Sequence, residues 1–226
     1  MNGKVLVISG ALGALGKEVA EIAMTRGARI AAIDLLPSKS LQTPGRLEIC
    51  GVDLTDPGQA KMAIDKAAAH FGKLDALLNL AGGFVFETLV EGDSKTWQRM
   101  YAMNVLTAIN ASRVALPYLA RSTAGRIVNV GSIAAVTAGG GMGPYAASKS
   151  SVHRFTEALA AECKGQITVN AVLPSVIDTA VNRTSMPGAD FAKWVQPREV
   201  AELILFLVSD AASAVTGALI PVAGRG

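Results

Sequence analysis

The chain has 226 residues, of which 50% are hydrophobic and only 17% are charged, and its formal net charge is +3. This composition excludes an intrinsically disordered chain and predicts one domain with a sizeable core over residues 1–226. Lysine and arginine are scattered without a basic run or interleaved aromatic residues, so no nucleic-acid partner is expected. No apolar run reaches the roughly 18 residues of a transmembrane helix, so no membrane association is expected.

The two cysteines, Cys50 and Cys163, lie far apart and do not have the spacing of a metal site. The start of the chain passes directly into a strand pattern without a signal peptide. We therefore expect a cytoplasmic protein with two buried free thiols and no bound metal.

Residues 4–9 form a short, β-rich and continuously apolar run, which predicts a strand buried on both faces. A glycine-rich turn and a helical pattern follow, an order that gathers backbone N–H groups at one helix N-terminus and predicts a pyrophosphate site. We expect Gly10 to make the tight turn, Gly13 to let the backbone approach the ligand, and Gly16 to let helix and sheet pack closely. The alternative is an ordinary tight turn between a strand and a helix.

The second strand is predicted over residues 28–33, with Asp34 at its end. A carboxylate about 20 residues beyond the glycines can accept hydrogen bonds from the adenosine ribose hydroxyls and repels a 2′-phosphate. No lysine or arginine lies between Gly10 and Gly16 to hold that phosphate. The sequence therefore favours NAD over NADP, with a turn-capping aspartate as the alternative.

Residues 37–45 contain two prolines and predict a loop without a crossover helix. A third strand is predicted over residues 46–52, and the next helix begins with Asp56 at the N-cap and Pro57 at N1. Asp53 lies between them and is expected either to contact the adenine amino group or to be a solvated turn residue.

A fourth strand over residues 74–80 ends in small residues that would let a flat ring approach the backbone. Ser94 is the expected N-cap of the following helix, in which Asn104 lies within an apolar pattern. Asn104 is either a satisfied core polar group or part of a proton path, and the sequence favours neither. The fifth strand, residues 125–131, leads to Ser132 at the end that faces the ligand crevice of a doubly wound sheet.

Tyr145 and Lys149 follow a glycine-rich loop and open a long helical pattern, in which their i, i+4 spacing places them on one face. A phenol has an ordinary pKa of about 10, and a cation about 4 Å away stabilises its phenolate by roughly 4 kcal/mol at an effective dielectric constant near 20. We therefore expect Lys149 to lower the pKa of Tyr145 towards neutral pH and make it a proton-transfer group.

A sixth strand is predicted over residues 166–173, before an irregular stretch in which we expect a short substrate lid at about residues 180–196. A helix from Pro197 and a strand over residues 216–222 complete the pattern. Met142, Met186 and Trp194 are expected to pack in the core or the lid, with the lining of an apolar substrate pocket as the alternative. His70 and His153 are expected to be surface or helix-packing residues.

Together these features resemble the classical short-chain dehydrogenase/reductase family over nearly the whole chain. The motifs that carry the resemblance are Ser9-Gly10-x-x-Gly13-x-x-Gly16, Asp53-Leu54, Asn79-x-Ala81-Gly82, Asn104, Ser132, Tyr145-x-x-x-Lys149 and Pro174-x-x-Ile177-x-Thr179. The resemblance implies an α/β, three-layer doubly wound Rossmann fold with a sheet of seven mostly parallel strands flanked by helices. It also implies NAD(P) and reversible hydride transfer between a secondary alcohol and a ketone or aldehyde.

The resemblance further implies a role for each catalytic position. Tyr145 would be the general acid in reduction and the general base in oxidation, and Ser132 would donate to the substrate oxygen. Lys149 would hold the nicotinamide ribose, and Asn104 would hold a water that links Lys149 to solvent. The implied cofactor contacts are Gly10, Leu12, Gly13, Leu15, Gly16, Asp34, Asp53, Leu54, Asn79, Ala81, Gly82, Tyr145, Lys149, Pro174, Val176, Ile177 and Thr179.

Other functions remain open on the same pattern. A 3-oxoacyl-carrier-protein reductase usually favours NADPH, against which Asp34 argues, and a pterin reductase can share the glycine turn. A non-catalytic dinucleotide sensor is disfavoured because the chain keeps Tyr145 and Lys149, and a sugar-nucleotide epimerase would need a further C-terminal domain.

The expected partners are a small carbonyl or alcohol substrate and further copies of the chain. The resemblance implies a homodimer or homotetramer built on the helices that carry Asn104 and Tyr145. Ala158, Ala160 and Ala161 would allow close contact between such helices.

Overall fold

The structure, a computed structural model, describes residues 1–38 and 43–225. The strands of this part are Val5–Ser9 (β1), Arg29–Asp34 (β2), Arg46–Cys50 (β3), Ala76–Asn79 (β4), Gly125–Val130 (β5), Ile167–Pro174 (β6) and Leu219–Val222 (β7). Its α-helices are Ala14–Thr25 (α1), Pro57–Phe71 (α2), Ser94–Tyr101 (α3), Thr107–Leu119 (α4), Gly143–Glu162 (α5), Ala180–Ser185 (α6) and Pro197–Val208 (α7).

The strands form one sheet in the order β3-β2-β1-β4-β5-β6-β7, and every neighbouring pair is parallel. The order reverses between β1 and β4, where Ser9 pairs with Asn79. Ligands of open α/β sheets bind beyond the carboxyl ends of the strands at such a switch point. The predicted doubly wound fold with seven strands is confirmed, and the sheet is parallel throughout the described residues.

Buried side chains divide between two cores, one on each face of the sheet. Leu77 of β4 and Ile127 of β5 face the core shared with α2, α4 and α5. Leu78 and Val128, one residue further along each strand, face the core shared with α1 and α7. Burial on both faces is the reason that these strands are continuously apolar rather than alternating.

The ends of two helices test the capping predictions. Asp56 caps α2 by accepting from the N–H groups of Gly58 and Gln59, at 2.7 and 3.0 Å, and Pro57 is the first helical residue, as predicted. The prediction of Ser94 as the N-cap of α3 is wrong. Asp93, one residue earlier, accepts from the N–H groups of Lys95 and Thr96 at 2.7 and 3.2 Å. A short carboxylate at this position satisfies two helix donors at once.

The helix predicted to carry Asn104 is not one continuous α-helix. A π-helical segment, Ala102–Leu106, separates α3 from α4 and contains Asn104. Single π-turns of this kind are rare and are frequent at functional sites.

Two further predictions are adjusted by the structure, and a third agrees with it over the described residues. The first helix begins at Ala14, inside the glycine turn rather than after it. The stretch predicted as irregular contains α6 and a 3₁₀ turn at Phe191–Lys193. No helix lies between β2 and β3 in residues 35–38 and 43–45, and residues 39–42 of the predicted loop are outside the described residues.

Cys50 and Cys163 are free, but they are half-buried rather than fully buried, and burial raises the pKa of both thiols. In the part of the chain that the structure describes, no helix has both the length and the apolar character that a membrane span requires.

Candidate active site

The glycine turn after β1 is wedged between the sheet and α1. Gly10 has a positive φ of 66°, and a Cβ built on it would lie 2.9 Å from the backbone of Ala81. A Cβ built on Gly16 would lie 2.2 Å from the carbonyl oxygen of Gly10 and 2.7 Å from Cα of Ala11. Any side chain at either position would therefore push against backbone rather than against a movable side chain.

The N-terminus of α1 fits an anionic group. Gly13 is its N-cap, and no described side chain accepts from the first N–H groups of the helix. A Cβ on Gly13 would meet only the carbonyl oxygen of Gly10, at 3.3 Å, so the outer face of the turn is open. Free N–H groups at a helix N-terminus together with an open glycine turn are the features that bind a pyrophosphate.

Asp34 lies beside this turn and contacts it directly. Its carboxylate accepts from the N–H groups of Leu12 and Leu36, at 2.8 and 2.9 Å, and the residue is 8% exposed. The turn-capping alternative therefore holds for this residue, which also lies next to the glycine turn. Each carboxylate oxygen has a further lone pair with which it can accept from a ribose hydroxyl.

The side chains of Asp53 and Leu54 are engaged with other protein groups rather than free to contact a cofactor. One carboxylate oxygen of Asp53 accepts from the N–H and the hydroxyl of Thr55, at 2.9 and 2.7 Å, which is the turn-residue alternative. The side chain of Leu54 is 5% exposed and packs in the core with α2. Contact between Leu54 and a cofactor would have to use its backbone.

The end of β4 is fastened to β1 by Ser9. The hydroxyl of Ser9 accepts from the N–H groups of Leu80 and Ala81, both at 3.1 Å, which fixes the backbone that leads to Gly82. The side chain of Asn79 does not face the crevice. Its amide group donates to Ser112 and Asn129, at 3.1 and 2.8 Å, in a buried network between the sheet and α4.

Asn104 is a satisfied core polar group in the structure. Its amide group donates to the carbonyl oxygen of Gly83 and to the hydroxyl of Ser148, at 3.1 and 2.9 Å. Its carbonyl oxygen accepts from the N–H of Gly83 at 2.9 Å. A Cβ on Gly82 would lie 2.6 Å from that oxygen and 3.4 Å from Nζ of Lys149, so the two residues meet at Gly82.

Ser132, Tyr145 and Lys149 converge on the carboxyl end of β5. Nζ of Lys149 donates to the carbonyl oxygen of Val130 at 2.7 Å, and Lys149 and Ser132 are each 6% exposed. The Tyr145 ring packs edge-on against Phe84, with ring centroids 4.9 Å apart. Tyr145 and Lys149 therefore flank the same segment, residues 82–84, as their spacing on α5 predicts.

The expected effect of Lys149 on the pKa of Tyr145 is wrong for the protein as the structure shows it. Burial raises the pKa of the Tyr145 phenol, and the hydroxyl of Ser132 offsets part of this rise. Burial also lowers the pKa of Lys149 to about 8. The i, i+4 argument neglected desolvation, which disfavours the phenolate and the ammonium alike.

The segment after β6 carries the last predicted contacts. Pro174 ends the strand and is buried, whereas Val176, Ile177 and Thr179 are half-buried. The carbonyl oxygens of Val176 and Ile177 accept from the N–H of Val195 at 3.0 Å and from the side chain of Asn182 at 2.8 Å. The hydroxyl of Thr179 accepts from the N–H of Asn182 at 3.2 Å and keeps its own proton to donate.

His153 is a residue of the site, although its sequence context predicted a surface or helix-packing role. It is 4% exposed, and its Nε2 accepts from the N–H of Ser132 at 3.3 Å. Because Nε2 accepts, the neutral ring carries its proton on Nδ1. The signal that points to it is its place four residues after Lys149, on the stripe of α5 that faces the crevice.

His153 should make stability fall in mild acid. Burial, reinforced by Arg154 and Lys149 and opposed by Glu157, lowers the pKa of His153. Between that lowered pKa and about 6.5, the unfolded chain binds a proton that the folded protein does not, so the free energy of unfolding falls as the pH falls, by at most about 1.4 kcal/mol per pH unit. Guanidinium unfolding of His153→Gln between pH 5 and 7.5 should show a shallower slope. The exposed His70 supplies the control His70→Gln, and equal slopes in wild type and His153→Gln would contradict the assignment.

Two surface cavities, of about 430 and 540 Å³, lie beside α2 and α4 and share Asp65, Tyr118 and Arg121. Neither is lined by a predicted site residue. The chemistry therefore has to be sought in the open crevice and not in these cavities.

A model of the short chain dehydrogenase family matches residues 4–189. The 3-oxoacyl-(acyl-carrier-protein) reductase FabG of Thermotoga maritima is 31% identical over 99% of this chain and 98% of its own length. The ligand-free aldohexose dehydrogenase of Thermoplasma acidophilum has a TM-score of 0.91 and 27% identity, over 99% of this chain and 94% of its own. An NAD⁺-bound xylitol dehydrogenase has a TM-score of 0.89 and 25% identity, over 99% of this chain and 98% of its own.

The fold and the crevice define a dinucleotide-binding α/β protein, and the comparisons identify which kind. The chain belongs to the short-chain dehydrogenase family. It is an oxidoreductase of the type that acts on CH–OH groups with a nicotinamide dinucleotide.

Proposed function

We propose that the protein is an NAD(H)-dependent oxidoreductase that interconverts a secondary alcohol and a ketone or aldehyde, with Tyr145 as general acid and base. The observation that carries the proposal is the convergence of Ser132, Tyr145 and Lys149 beside the switch point of the sheet. A nicotinamide ring supplies or accepts the hydride when it is bound, and the protein supplies position and proton transfer.

Each of the three side chains has a distinct task in this proposal. In reduction Tyr145 gives its phenolic proton to the carbonyl oxygen, and Ser132 donates a hydrogen bond to the same oxygen. In oxidation Tyr145 accepts the hydroxyl proton. Lys149, whose Nζ is held by the carbonyl oxygen of Val130, binds the nicotinamide ribose.

The preference for NAD is part of the proposal and rests on Asp34. Its carboxylate touches the dinucleotide turn through Leu12, and it would repel a 2′-phosphate at that point. The same turn, from Gly10 to Gly16, has no cation that could hold such a phosphate.

The variant Asp34→Asn should reduce the preference for NADH. Loss of a charge-assisted hydrogen bond of about 1.5–3 kcal/mol predicts a fall of roughly 10- to 100-fold in the ratio of kcat/KM for NADH to kcat/KM for NADPH. Both cofactors are measured on one preparation, so partial inactivation cancels in the ratio. A wild-type enzyme that prefers NADPH, or an unchanged ratio in the variant, would contradict this part of the proposal.

The proposal is tested as a whole by oxidation of NADH and NADPH in parallel against a panel of ketones, aldehydes and quinones. Turnover of a panel member that depends on Tyr145 supports the proposed oxidoreductase function. Tight NADH binding without turnover on any member of the panel would favour a dinucleotide sensor instead.

A second candidate is a reductase of 3-oxoacyl thioesters, favoured by the relative in Thermotoga maritima. The catalytic residues have the same tasks in both candidates. A 3-oxoacyl thioester is therefore included in the panel, and a kcat/KM above that for simple ketones would select this candidate.

We also propose a homodimer or homotetramer, because members of the family are typically oligomeric. Ala158 and Ala161 are exposed on α5 and would allow another helix to approach, whereas Ala160, expected to do the same, is 5% exposed and packs in the core. A monomer by light scattering would contradict this assembly.

A further inference from the structure

Three segments at the carboxyl ends of β4, β5 and β6, on the side of the sheet edge where Tyr145 lies, carry no ionisable side chain. Residues 80–86 follow β4, residues 131–144 follow β5, and residues 174–177 follow β6. None of the three contains aspartate, glutamate, lysine, arginine or histidine. A substrate carboxylate or phosphate bound against these segments would find no cation from them.

The nearest charges along the chain are already engaged with other protein groups. Lys149, next after the second segment, donates to the carbonyl oxygen of Val130 at 2.7 Å. Glu87, next after the first segment, accepts from the hydroxyl of Thr96 at 2.8 Å and from the N–H of Asp93 at 3.3 Å. Asp178, next after the third, is paired with Arg183, with N···O distances of 2.5 and 2.7 Å. The Arg183 guanidinium also lies over the Phe191 ring, 4.8 Å from its centroid.

Two exposed aromatic rings follow β4, of which Phe84 contacts the Tyr145 ring and Phe86 contacts the glycine loop. Phe84 packs edge-on against Tyr145 and is 52% exposed, and Phe86 is 65% exposed. Phe86 is held by the glycine loop, because its ring fills the space where Gly141 would carry a Cβ, 2.3 Å away. The N–H of Glu87 also donates to the carbonyl oxygen of Gly141 at 2.8 Å. Phe84 is therefore held against Tyr145 and Phe86 against the glycine loop, and much of the apolar surface of both rings is uncovered.

A hydroxyl-rich substrate would find few hydrogen-bond partners among the side chains of these three segments. Of the three hydroxyl residues in these segments, Ser132 is used by the reacting oxygen and Ser175 donates to the carbonyl oxygen of Ala223 at 2.8 Å, which leaves Thr137. A polyol would lose the water around its hydroxyl groups without equivalent hydrogen bonds, whereas an apolar substituent gains by covering the two rings. Trp194, which its residue type made a candidate for lining an apolar pocket, is 8% exposed and is not available.

From these observations, and on the basis of the proposed function, we infer that the substrate is an uncharged aryl-substituted ketone or the matching secondary alcohol. Its apolar substituent packs on Phe84 and Phe86 while its oxygen meets Ser132 and Tyr145. This distinguishes the chain from the aldohexose and xylitol dehydrogenases that share its fold.

The test compares alcohols that differ in one property, with NAD⁺ and the full chain. 1-Phenylethanol and mandelate share a phenyl group, but mandelate has a carboxylate in place of the methyl group, and xylitol is a polyol without an aryl group. We expect kcat/KM for 1-phenylethanol to exceed the other two values by about tenfold or more, the usual discrimination of an apolar pocket.

The variant Phe84→Ala tests whether the preference for the aryl alcohol arises from the ring of Phe84. The ratio of kcat/KM for 1-phenylethanol to kcat/KM for 2-propanol should fall about tenfold, mainly through KM, because only the aryl substrate loses a ring contact. Phe206→Ala is the matched control, since Phe206 lies on α7 and is 46% exposed. It should leave the ratio unchanged.

The outcomes distinguish the aryl assignment from the oxidoreductase on which it rests. Turnover of xylitol or mandelate that equals or exceeds turnover of 1-phenylethanol, or an unchanged ratio in Phe84→Ala, overturns the aryl assignment and leaves the oxidoreductase standing. Absence of turnover on every alcohol and ketone, with NADH still bound, overturns the proposed function and the aryl assignment with it.

Discussion

Replacement of Tyr145 by phenylalanine is expected to lower kcat by roughly 10²- to 10⁴-fold, the usual contribution of one positioned acid–base group. The change removes a single oxygen and keeps the ring that packs edge-on against Phe84 at 4.9 Å. The fold and the dinucleotide turn are therefore expected to persist. Steady-state kinetics with NADH and an accepted ketone measure the loss, and an NADH titration and the melting temperature show that the variant is intact.

A second tyrosine provides the control for this experiment. Tyr101 is 45% exposed and ends α3, so Tyr101→Phe should leave kcat within about twofold, as surface substitutions usually do. Full turnover by Tyr145→Phe, with NADH still bound, would remove Tyr145 from the reaction.

The raised pKa of Tyr145 also predicts how the rates of reduction and oxidation depend on pH. Because burial raises the pKa of Tyr145, the phenol is protonated near neutral pH and ready to donate in reduction. Oxidation needs the deprotonated form, so its kcat/KM should rise as the pH increases, while that of reduction falls. Both slopes should be lost in Tyr145→Phe, whose residual activity has no phenol to titrate.

The fold was largely predictable because its signals are local. The apolar run of β1, the glycines that follow it, and the capping residues Asp56 and Pro57 each depend on neighbours within one turn of the chain. These signals also place the glycine turn at the carboxyl end of β1, whereas the switch point between β1 and β4 emerges only from the strand order. The N-cap of α3 was misplaced by one residue, because the carboxylate of Asp93, rather than the hydroxyl of Ser94, caps the helix.

The parts of the site that the sequence did not reveal depend on contacts between distant segments. The direction of the Tyr145 pKa depends on burial under residues 82–84, which lie far earlier in the chain. The side chain of Asn79 faces Asn129 because of the register between β4 and β5, which no motif records. His153 gains its role from Ser132, 21 residues away. Spacing predicts which residues share a face, but it does not predict what covers that face.

The second large effect is expected from Gly16→Ala, in which two opposing contributions can be compared. Alanine is favoured over glycine in a helix by roughly 0.5–1 kcal/mol, and Gly16 lies in the first turn of α1. Against this, the new Cβ would lie 2.2 Å from the carbonyl oxygen of Gly10 and 2.7 Å from Cα of Ala11. Overpacking typically costs about 1–3 kcal/mol when side chains can adjust, and here both obstacles are backbone.

The turn cannot move without a cost in free energy, because Gly10 is itself packed against the backbone of Ala81, in the segment that follows β4. We therefore expect the clash to dominate, with a loss of about 3 kcal/mol and a melting temperature lower by roughly 5–10 °C. NADH affinity should fall with it, since the displaced turn carries the N-terminus of α1. Gly188→Ala is the control, because a Cβ there meets no atom within 4 Å, and it should change stability by less than about 0.5 kcal/mol. If Gly16→Ala melts and binds NADH like Gly188→Ala, helix and turn are not in the contact that the structure shows, and the anion site built on them is lost as well.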